Sequence, residues 1–305
     1  MQIQYKLNVD VGVIYKISPS GKGELVHTFP TEEGLPYGGL TLDAEGNLYG
    51  MANEEIFKIT PKGVESVLFR FDNPTVTGST PSSLAIDADG SFYGTTAYGG
   101  PGGNGGSAGL GNGVLFKLSP EGTFTALHYF TGGAGGALPN SLALDGNGNI
   151  YGFTEDGGDL ATCAKYDGGA FSNGGCGLAY KYDKYGNFSV IHSFTGFDGA
   201  RPQGIPLILS DTVYGATSAG GVFGATEGLD GYGVVFQITA NGTETTLHSF
   251  TGKDGLEPST GLIQLPNGDI YGATAFGGHS SLSTNPCKTS GTAGCGVLYK
   301  IVLPM

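Results

Sequence analysis

The chain has 305 residues, 58 of them glycine, with only 13% charged and a formal net charge of −13. An acidic chain without a basic run repels phosphate backbones, which excludes nucleic acid as a partner. No stretch approaches the ~20 apolar residues of a membrane-spanning helix, which argues against membrane insertion.

The 39% hydrophobic content, with 17 Phe and 16 Tyr, is enough to build a core. The length admits two ordinary domains or one large all-β unit. The start, Met1-Gln2-Ile3-Gln4-Tyr5, lacks the basic and apolar runs of a signal peptide. The expectation is a cytosolic protein, or a mature form whose export signal has been removed.

In chain order, GVIYKI (12–17) and LVHTF (25–29) come first. A four-part unit then recurs. Its first element is GLTLDAEG (39–46), SLAIDADG (83–90), SLALDGNG (141–148), PLILSD (206–211) and GLIQLPNG (261–268). The second is NLYG, SFYG, NIYG, TVYG and DIYG, which from the second unit on extends into YGTTAYGG (93–100), YGFTEDGG (151–158), YGATSAGG (214–221) and YGATAFGG (271–278). The third is EIFKITPKG (55–63), GVLFKLSPEG (113–122), GLAYKYDKYG (177–186), GVVFQITANG (233–242) and GVLYKI (296–301). The fourth is SVLFRF (66–71), TALHYF (125–130), SVIHSF (189–194) and TTLHSF (245–250).

Each element is short, rich in β-branched and aromatic residues, and bounded by turn formers. Val114, Phe116 and Leu118 alternate with Leu115 and Lys117, a period of two. No segment carries a helical period. One four-stranded sheet cannot hide both of its apolar faces, but radial stacking of such sheets can. The expected fold is therefore an all-β, β-propeller of four-stranded antiparallel blades. Five blades are favoured, with six, one of them incomplete and using Gln2–Leu7, as the alternative. The expectation is a single domain over 1–305. It would be closed by LVHTF of the N-terminal strands (about 12–29) pairing with the C-terminal strand (296–301).

Periodicity accounts for several tempting side chains. His27, His128, His192 and His248 share one slot of the fourth element, which Phe69 fills in the remaining unit. A catalytic histidine need occur only once, so packing is the expected role. Tyr49, Tyr93, Tyr151, Tyr214 and Tyr271 share another slot and are expected as wedges between blades, the following glycine admitting a neighbouring backbone. Asp43, Asp87 and Asp145 precede tight turns, where Asp accepts backbone N–H groups. DADGS (87–91) lacks the distal Glu of a calcium loop, and no nucleophile elbow, zincin or P-loop motif occurs. No metal site, no cofactor and no catalytic residue is expected.

Variable text lies between the second and third elements, at 97–112, 159–176, 222–232 and 279–295. Strand alternation sends these inserts to the same end of the molecule as the blade-to-blade loops, and function concentrates on loops held by a rigid scaffold. Tyr98, Glu155, Asp156, Tyr166, Phe223, Tyr232 and Phe276 depart from the repeat there and are candidate binding residues. Cys163 and Cys176 share one insert, and Cys287 and Cys295 share another. Two loop-internal disulfides are expected, implying an oxidising compartment. A zinc site from the four thiols is the alternative, without C-x-x-C spacing to favour it.

The unit L-x-x-D-x-x-G-N-[IL]-Y-G-x-T-x-x-G-G, then G-V-[LV]-F-K-[IL], then L-H-x-F-T-G-x-D-G-x-x-P resembles the Gloeo/Verruco (GloVer) tandem-repeat proteins. The likeness runs from about Gly12 to Ile301 and is close at FTGFDGARP (194–202) and FTGKDGLEP (250–258). It departs in the first unit, which lacks the T-x-x-G-G tail, and at LILSDTVYG, where the turn is shortened. The resemblance implies an exported or surface-sorted bacterial propeller and transfers no catalytic residues. The functional expectation is a non-enzymatic binding module, extracellular or at the cell surface (the periplasm being possible), that engages a glycan or a surface protein. The alternatives are a polysaccharide-acting glycoside hydrolase or lyase, and a structural or adhesive surface component.

Overall fold

The computed structural model describes residues 12–29, 36–101, 111–163, 174–223, 231–278 and 294–303, with the side chain of Tyr37 left aside. The described residues form six antiparallel sheets in chain order. The first has two strands, β1 (Val13–Ile17) and β2 (Gly23–Thr28). Blade two is β3 (Pro36–Leu42), β4 (Leu48–Ala52), β5 (Glu55–Ile59) and β6 (Glu65–Arg70). Blade three is β7 (Ser79–Ile86), β8 (Phe92–Tyr98), β9 (Val114–Leu118) and β10 (Phe124–Tyr129). Blade four is β11 (Ala137–Leu144), β12 (Ile150–Asp156), β13 (Leu178–Tyr182) and β14 (Phe188–Ser193).

Blade five is β15 (Ala200–Leu209), β16 (Thr212–Ala219), β17 (Val234–Ile238) and β18 (Glu244–Ser249). In blade six the first strand is broken into β19 (Leu256–Pro258) and β20 (Ile263–Gln264), both paired to β21 (Ile270–Phe276), which also pairs β22 (Leu298–Ile301). This is the expected β-propeller, with five or six blades according to whether the two-stranded sheet is counted. A single helical turn, α1 (Leu160–Cys163), and a 3-10 turn at Gly133–Gly135 are the helical segments among the described residues. Both lie in loops, where no period announces them. Gln2–Leu7 lies outside the described residues.

The expected closure is corrected. LVHTF does not pair with GVLYKI: β2 pairs β1, and among the described strands β22 pairs only β21. A hairpin joined by the short turn at 18–22 forms at little loop-closure cost, whereas pairing the two ends must close nearly the whole chain.

The repeated phrase is a packing device. Gly94 stands opposite Phe116 across β8 and β9. A Cβ at Gly94 would lie 2.3 Å from Phe116 Cζ and 2.7 Å from the Ser83 carbonyl oxygen. Gly50, Gly152, Gly215 and Gly272 make the same room for Phe57, Tyr180, Phe236 and Tyr299. The glycine thus chiefly admits an aromatic ring of its own blade rather than a neighbouring blade's backbone. The phrase threonine ties the strand end: Thr217 Oγ1 donates to the Ala219 carbonyl (2.8 Å) and accepts the Val234 N–H (3.2 Å). Thr154 and Thr274 repeat the pattern.

The five apolar cores lie between successive sheets. Between blades two and three, Tyr49, Met51, Ile56 and Phe71 meet Phe92, Val114, Phe116 and Leu118. Tyr49, Tyr93, Tyr151 and Tyr214 sit between blades as expected, Tyr49 packing its ring 4.7 Å from that of Phe92; Tyr271, in the last sheet, belongs to none of these cores. The histidine slot also packs across blades, meeting the first residue of the next fourth strand: His27 with Glu65 at 2.8 Å, Phe69 stacked on Phe124, and His128 stacked on Phe188 at 3.7 Å. Burial lowers the His128 pKa, favouring the neutral ring that this stacking suits. The turn aspartates behave as expected: Asp145 Oδ1 accepts the N–H groups of Asn147 and Asn149, each at 2.8 Å.

Candidate active site at the loop rim

The inserts and the blade-to-blade loops emerge together. A Cβ at Gly157, in the second-to-third connection of blade four, would lie 2.6 Å from Gly136 Cα, at that blade's entry. In each of blades three to six one residue stands out on this rim. Thr80, Leu138, Arg201 and Glu257, at the starts of four first strands, have φ of 55°, 57°, 54° and 54°. Each precedes a proline (Pro81, Pro139, Pro202 and Pro258). Left-handed backbone is disfavoured for residues with a Cβ, and residues held there gather at functional sites.

The neighbouring blade holds each of these residues in place. The Leu138 N–H donates to Asn112 O, that of Arg201 to Cys176 O at 2.9 Å, and that of Glu257 to Tyr232 O. All three acceptors immediately precede the glycine that opens a third strand. Blade two joins β4 to β5 by a tight turn and has no such insert. There the Glu54 carboxylate takes over, accepting the Thr80 N–H at 2.8 and 3.1 Å. A side chain thus does what a loop carbonyl does elsewhere.

Two adjacent positions break the repeat in charge. Glu155, near the end of β12, stands where the other blades carry Ala97, Ser218 and Ala275. Arg201, at the start of β15, faces it across the junction of blades four and five, with Nε 3.8 Å from Glu155 Oε1. Both side chains are about one-third exposed, Arg201 at 30% and Glu155 at 35%. After two of the prolines the next residue reaches to the following blade: Ser82 Oγ donates to Pro139 O (2.6 Å) and Asn140 Nδ2 to Pro202 O (2.9 Å). The buried Asn140 Oδ1 has no partner. The site therefore offers a carboxylate, a guanidinium and a row of neutral polar groups on rigid strand ends.

The candidate binding residues fare differently. Glu155 belongs to this site. Asp156, one residue on, is buried, because alternation turns successive side chains to opposite faces. Tyr98 and Phe276 hold the same strand-end place as Asp156 in blades three and six, with Tyr98 partly buried and Phe276 exposed. Phe223 is exposed, whereas Tyr232 packs partly buried against the core between blades five and six. One place per blade spaces these residues around the rim instead of gathering them. Tyr166 lies outside the described residues. Arg201 and Asn140 were not anticipated. The signal that could have found Arg201 is the single basic residue before a repeated proline.

Cys163 and Cys176 form the expected loop-internal disulfide. It anchors the carbonyl that holds Arg201. Cys295 is also disulfide-bonded, and Cys287 lies outside the described residues. Among the described residues no cluster of His, Cys, Asp or Glu could hold a metal ion, and no helix is long and apolar enough to cross a membrane. A cavity of ≈ 340 Å³ on blade two is lined by Asn53, Glu55, Phe57, Glu65 and Arg70. It lies beside the second sheet's outer strands, and its Glu55 and Arg70 already pair with each other.

The sequence matches the Gloeobacter/Verrucomicrobia repeat over residues 7–166. The chain belongs to this family. No protein with a curated functional description matches the sequence. Solved structures share the propeller fold at low identity. Virginiamycin B lyase from Staphylococcus aureus is similar with a TM-score of 0.58 and 14% identity, over 96% of this chain and 78% of that one. A luciferin-regenerating enzyme has a TM-score of 0.56 and 15% identity, over 95% and 83%. The PQQ-bound aldose sugar dehydrogenase from Streptomyces coelicolor has a TM-score of 0.50 and 14% identity, over 87% and 80%. These neighbours are enzymes, and this corrects the expectation of a non-enzymatic binding module. A rim of loops on a propeller is as much the setting of catalysis as of adhesion, and repetition of the scaffold says nothing against one unrepeated site on it.

Proposed function

We propose that this protein is a propeller enzyme of the lyase type, acting on a glycan that carries carboxylated sugars. The observation that carries this reading is the Glu155–Arg201 pair, two opposite charges that meet at strand ends of neighbouring blades, with Arg201 on left-handed backbone. Glycoside hydrolysis needs two carboxylates across the scissile bond. Elimination needs one base and one cation, and this pair supplies both.

In the proposed reaction the Glu155 carboxylate takes the proton from the carbon next to the sugar carboxyl group. Arg201 stabilises the negative charge that develops on that carboxyl group. The C–O bond one carbon further then breaks, and its oxygen leaves with a proton from water. The products are an unsaturated sugar and a free hydroxyl. The neutral groups of Ser82 and Asn140 suit hydroxyl-bearing rings. Such a substrate is polymeric and found outside cells, and the disulfide supports an extracellular or periplasmic setting for this reading.

The test is a panel of uronate-containing polysaccharides, followed by the ultraviolet absorbance of the unsaturated product. The expected result is turnover that falls at least about 100-fold in Glu155→Gln, in line with loss of a general base. Absence of turnover on every uronate polymer, or full activity in that variant, overturns the reading.

A further inference from the structure

Blades three to six repeat one contact on the loop rim. The second glycine of the Gly-Gly that ends each phrase donates its N–H to a carbonyl in the loop entering that blade. Gly100 donates to Pro74 O, Gly158 to Gly133 O, Gly221 to Gly196 O and Gly278 to Gly252 O, at distances between 2.8 and 3.2 Å. This tie sets the residues after each carbonyl beside the residues after each donor. In blade three these are Thr75 and Pro101, and in blade four Ala134 and Asp159. In blade five they are Phe197 on one side and Val222 and Phe223 on the other. In blade six the carbonyl is followed by Lys253. Among the described residues, only blade five therefore sets aromatic side chains on both sides of the tie.

Phe197, Val222 and Phe223 are 62%, 62% and 46% exposed. The turn that carries Phe197 is tightly bound. Asp198 Oδ1 accepts the Thr195 N–H (2.7 Å) and Oγ1 (2.9 Å), while its Oδ2 bonds His192 Nε2 at 2.9 Å. Gly196 and Gly199 exchange backbone hydrogen bonds across the same turn. Arg201 follows Phe197 by four residues, so their Cα atoms lie at most about 14 Å apart even on an extended chain. The Gly196–Gly199 turn folds that stretch back on itself. An apolar platform thus adjoins the Glu155–Arg201 pair, and exposed apolar surface rimmed by polar groups marks a binding site.

We propose that this platform seats a neutral sugar ring next to the carboxylated sugar held at Arg201, so that the substrate is a mixed chain in which uronates alternate with neutral sugars. The inference rests on the lyase reading and narrows its substrate. A sugar ring has a face lined by C–H groups, which gains by leaving water and stacks on an aromatic side chain. A carboxylate set against the same apolar surface would lose hydration. Arg201 can neutralise one sugar carboxylate. A run of uronates would bring further negative charge to a chain whose own net charge is −13. Phe197 and Phe223 bind the ring beside the reacting one and take no part in the proton transfer.

The test measures turnover by ultraviolet absorbance and binding by affinity electrophoresis in gels containing each polymer. The probes are polygalacturonate and alginate, uronate at every position, and hyaluronan and the rhamnogalacturonan backbone, uronate alternating with a neutral sugar. An alternating polymer should be turned over faster than either homopolymer. Phe197→Ala and Phe223→Ala should each raise KM for it about tenfold with kcat little changed, the mark of lost ground-state binding. Phe197→Tyr and Phe223→Tyr should keep the wild-type KM, and circular dichroism should be unchanged in all four because both side chains are exposed. A homopolymer turned over as fast as the alternating polymers, or alanine variants with wild-type KM, overturns this inference and leaves the lyase reading standing. Retardation by an alternating polymer that the alanine variants lose, with no turnover of any probe, supports the platform and overturns the lyase reading. Neither turnover nor retardation with any probe overturns both. A mass that rises with concentration in sedimentation, and ceases to rise in Phe223→Ala, assigns the patch to a second copy of the chain and overturns the inference.

Discussion

Replacing Gly94 by alanine tests the account of the repeated phrase. The added methyl would sit 2.3 Å from Phe116 Cζ and 2.7 Å from the Ser83 carbonyl oxygen. The ring could swing away only into a core that already holds Phe71 and Phe124 at 5.4 and 5.3 Å between ring centroids. The carbonyl belongs to β7 and cannot move without disturbing the sheet. Overpacking of this kind costs ~1–3 kcal/mol, and the backbone contact puts Gly94→Ala at the upper end. Against a total stability of ~5–15 kcal/mol that is a large fraction.

Gly23→Ala is the control, since nothing lies within 4 Å of its Cβ position. It should shift stability by no more than ~0.5 kcal/mol. The chain has no Trp, so urea unfolding would be followed by far-ultraviolet circular dichroism and tyrosine fluorescence. Adding Phe116→Leu to Gly94→Ala should reveal a coupling of ~1 kcal/mol or more in a double-mutant cycle, because the smaller side chain vacates the contested space. Gly94→Ala within ~0.5 kcal/mol of wild type, or strict additivity in the cycle, would refute the steric reasoning.

Two further outcomes follow from the same structure. Replacing both Cys163 and Cys176 with serine frees a loop with a sequence separation of 13, for which the chain-entropy model gives a loss of ~3 kcal/mol. The lost stability should be concentrated at the junction of blades four and five, read as faster amide exchange at Arg201, and uniform exchange across all blades would count against it. Acid should weaken the blades through their aspartates. Burial alone would raise the Asp43 carboxyl, but bonds from Asn47, Tyr49 and Glu45 outweigh it and bring its pKa down to about 2. Asp198 is likewise held below its usual range, bonds from His192 and Thr195 outweighing burial. A depressed folded-state pKa gives stability that is present above the unfolded value near 3.8 and lost as pH falls towards 2. The urea midpoint should therefore drop between about pH 4 and pH 2, and Asp43→Asn should flatten part of that slope.

The one-dimensional record reached far because the repeat is itself a physical statement. Five tyrosines, five following glycines and a strict alternation in each third strand can be satisfied together only by equivalent short strands stacked face to face. The common end of the inserts follows from strand alternation alone. What the text could not reveal is which departures from the repeat meet. Glu155 and Arg201 are 46 residues apart in number, and nothing in either neighbourhood names the other. They meet because one ends a second strand and the other begins the next blade's first strand. Asp156, just as acidic and just as irregular, is turned inward by the pleat.

Glu54 reads as a turn residue in sequence, yet it substitutes for a loop carbonyl because the β4–β5 connection is too short to supply one. The strand counts were also ambiguous as text. Six third elements against five of the others admit closure, an extra edge strand or an incomplete blade. Local hairpin formation set aside the end-to-end pairing, because β1 lies only a short turn from β2 while β22 lies at the other end of the chain. Composition and period therefore determined the kind of sheet and the way sheets stack. Tertiary structure alone decided where the unrepeated charges come together, since that depends on contacts between residues distant along the chain.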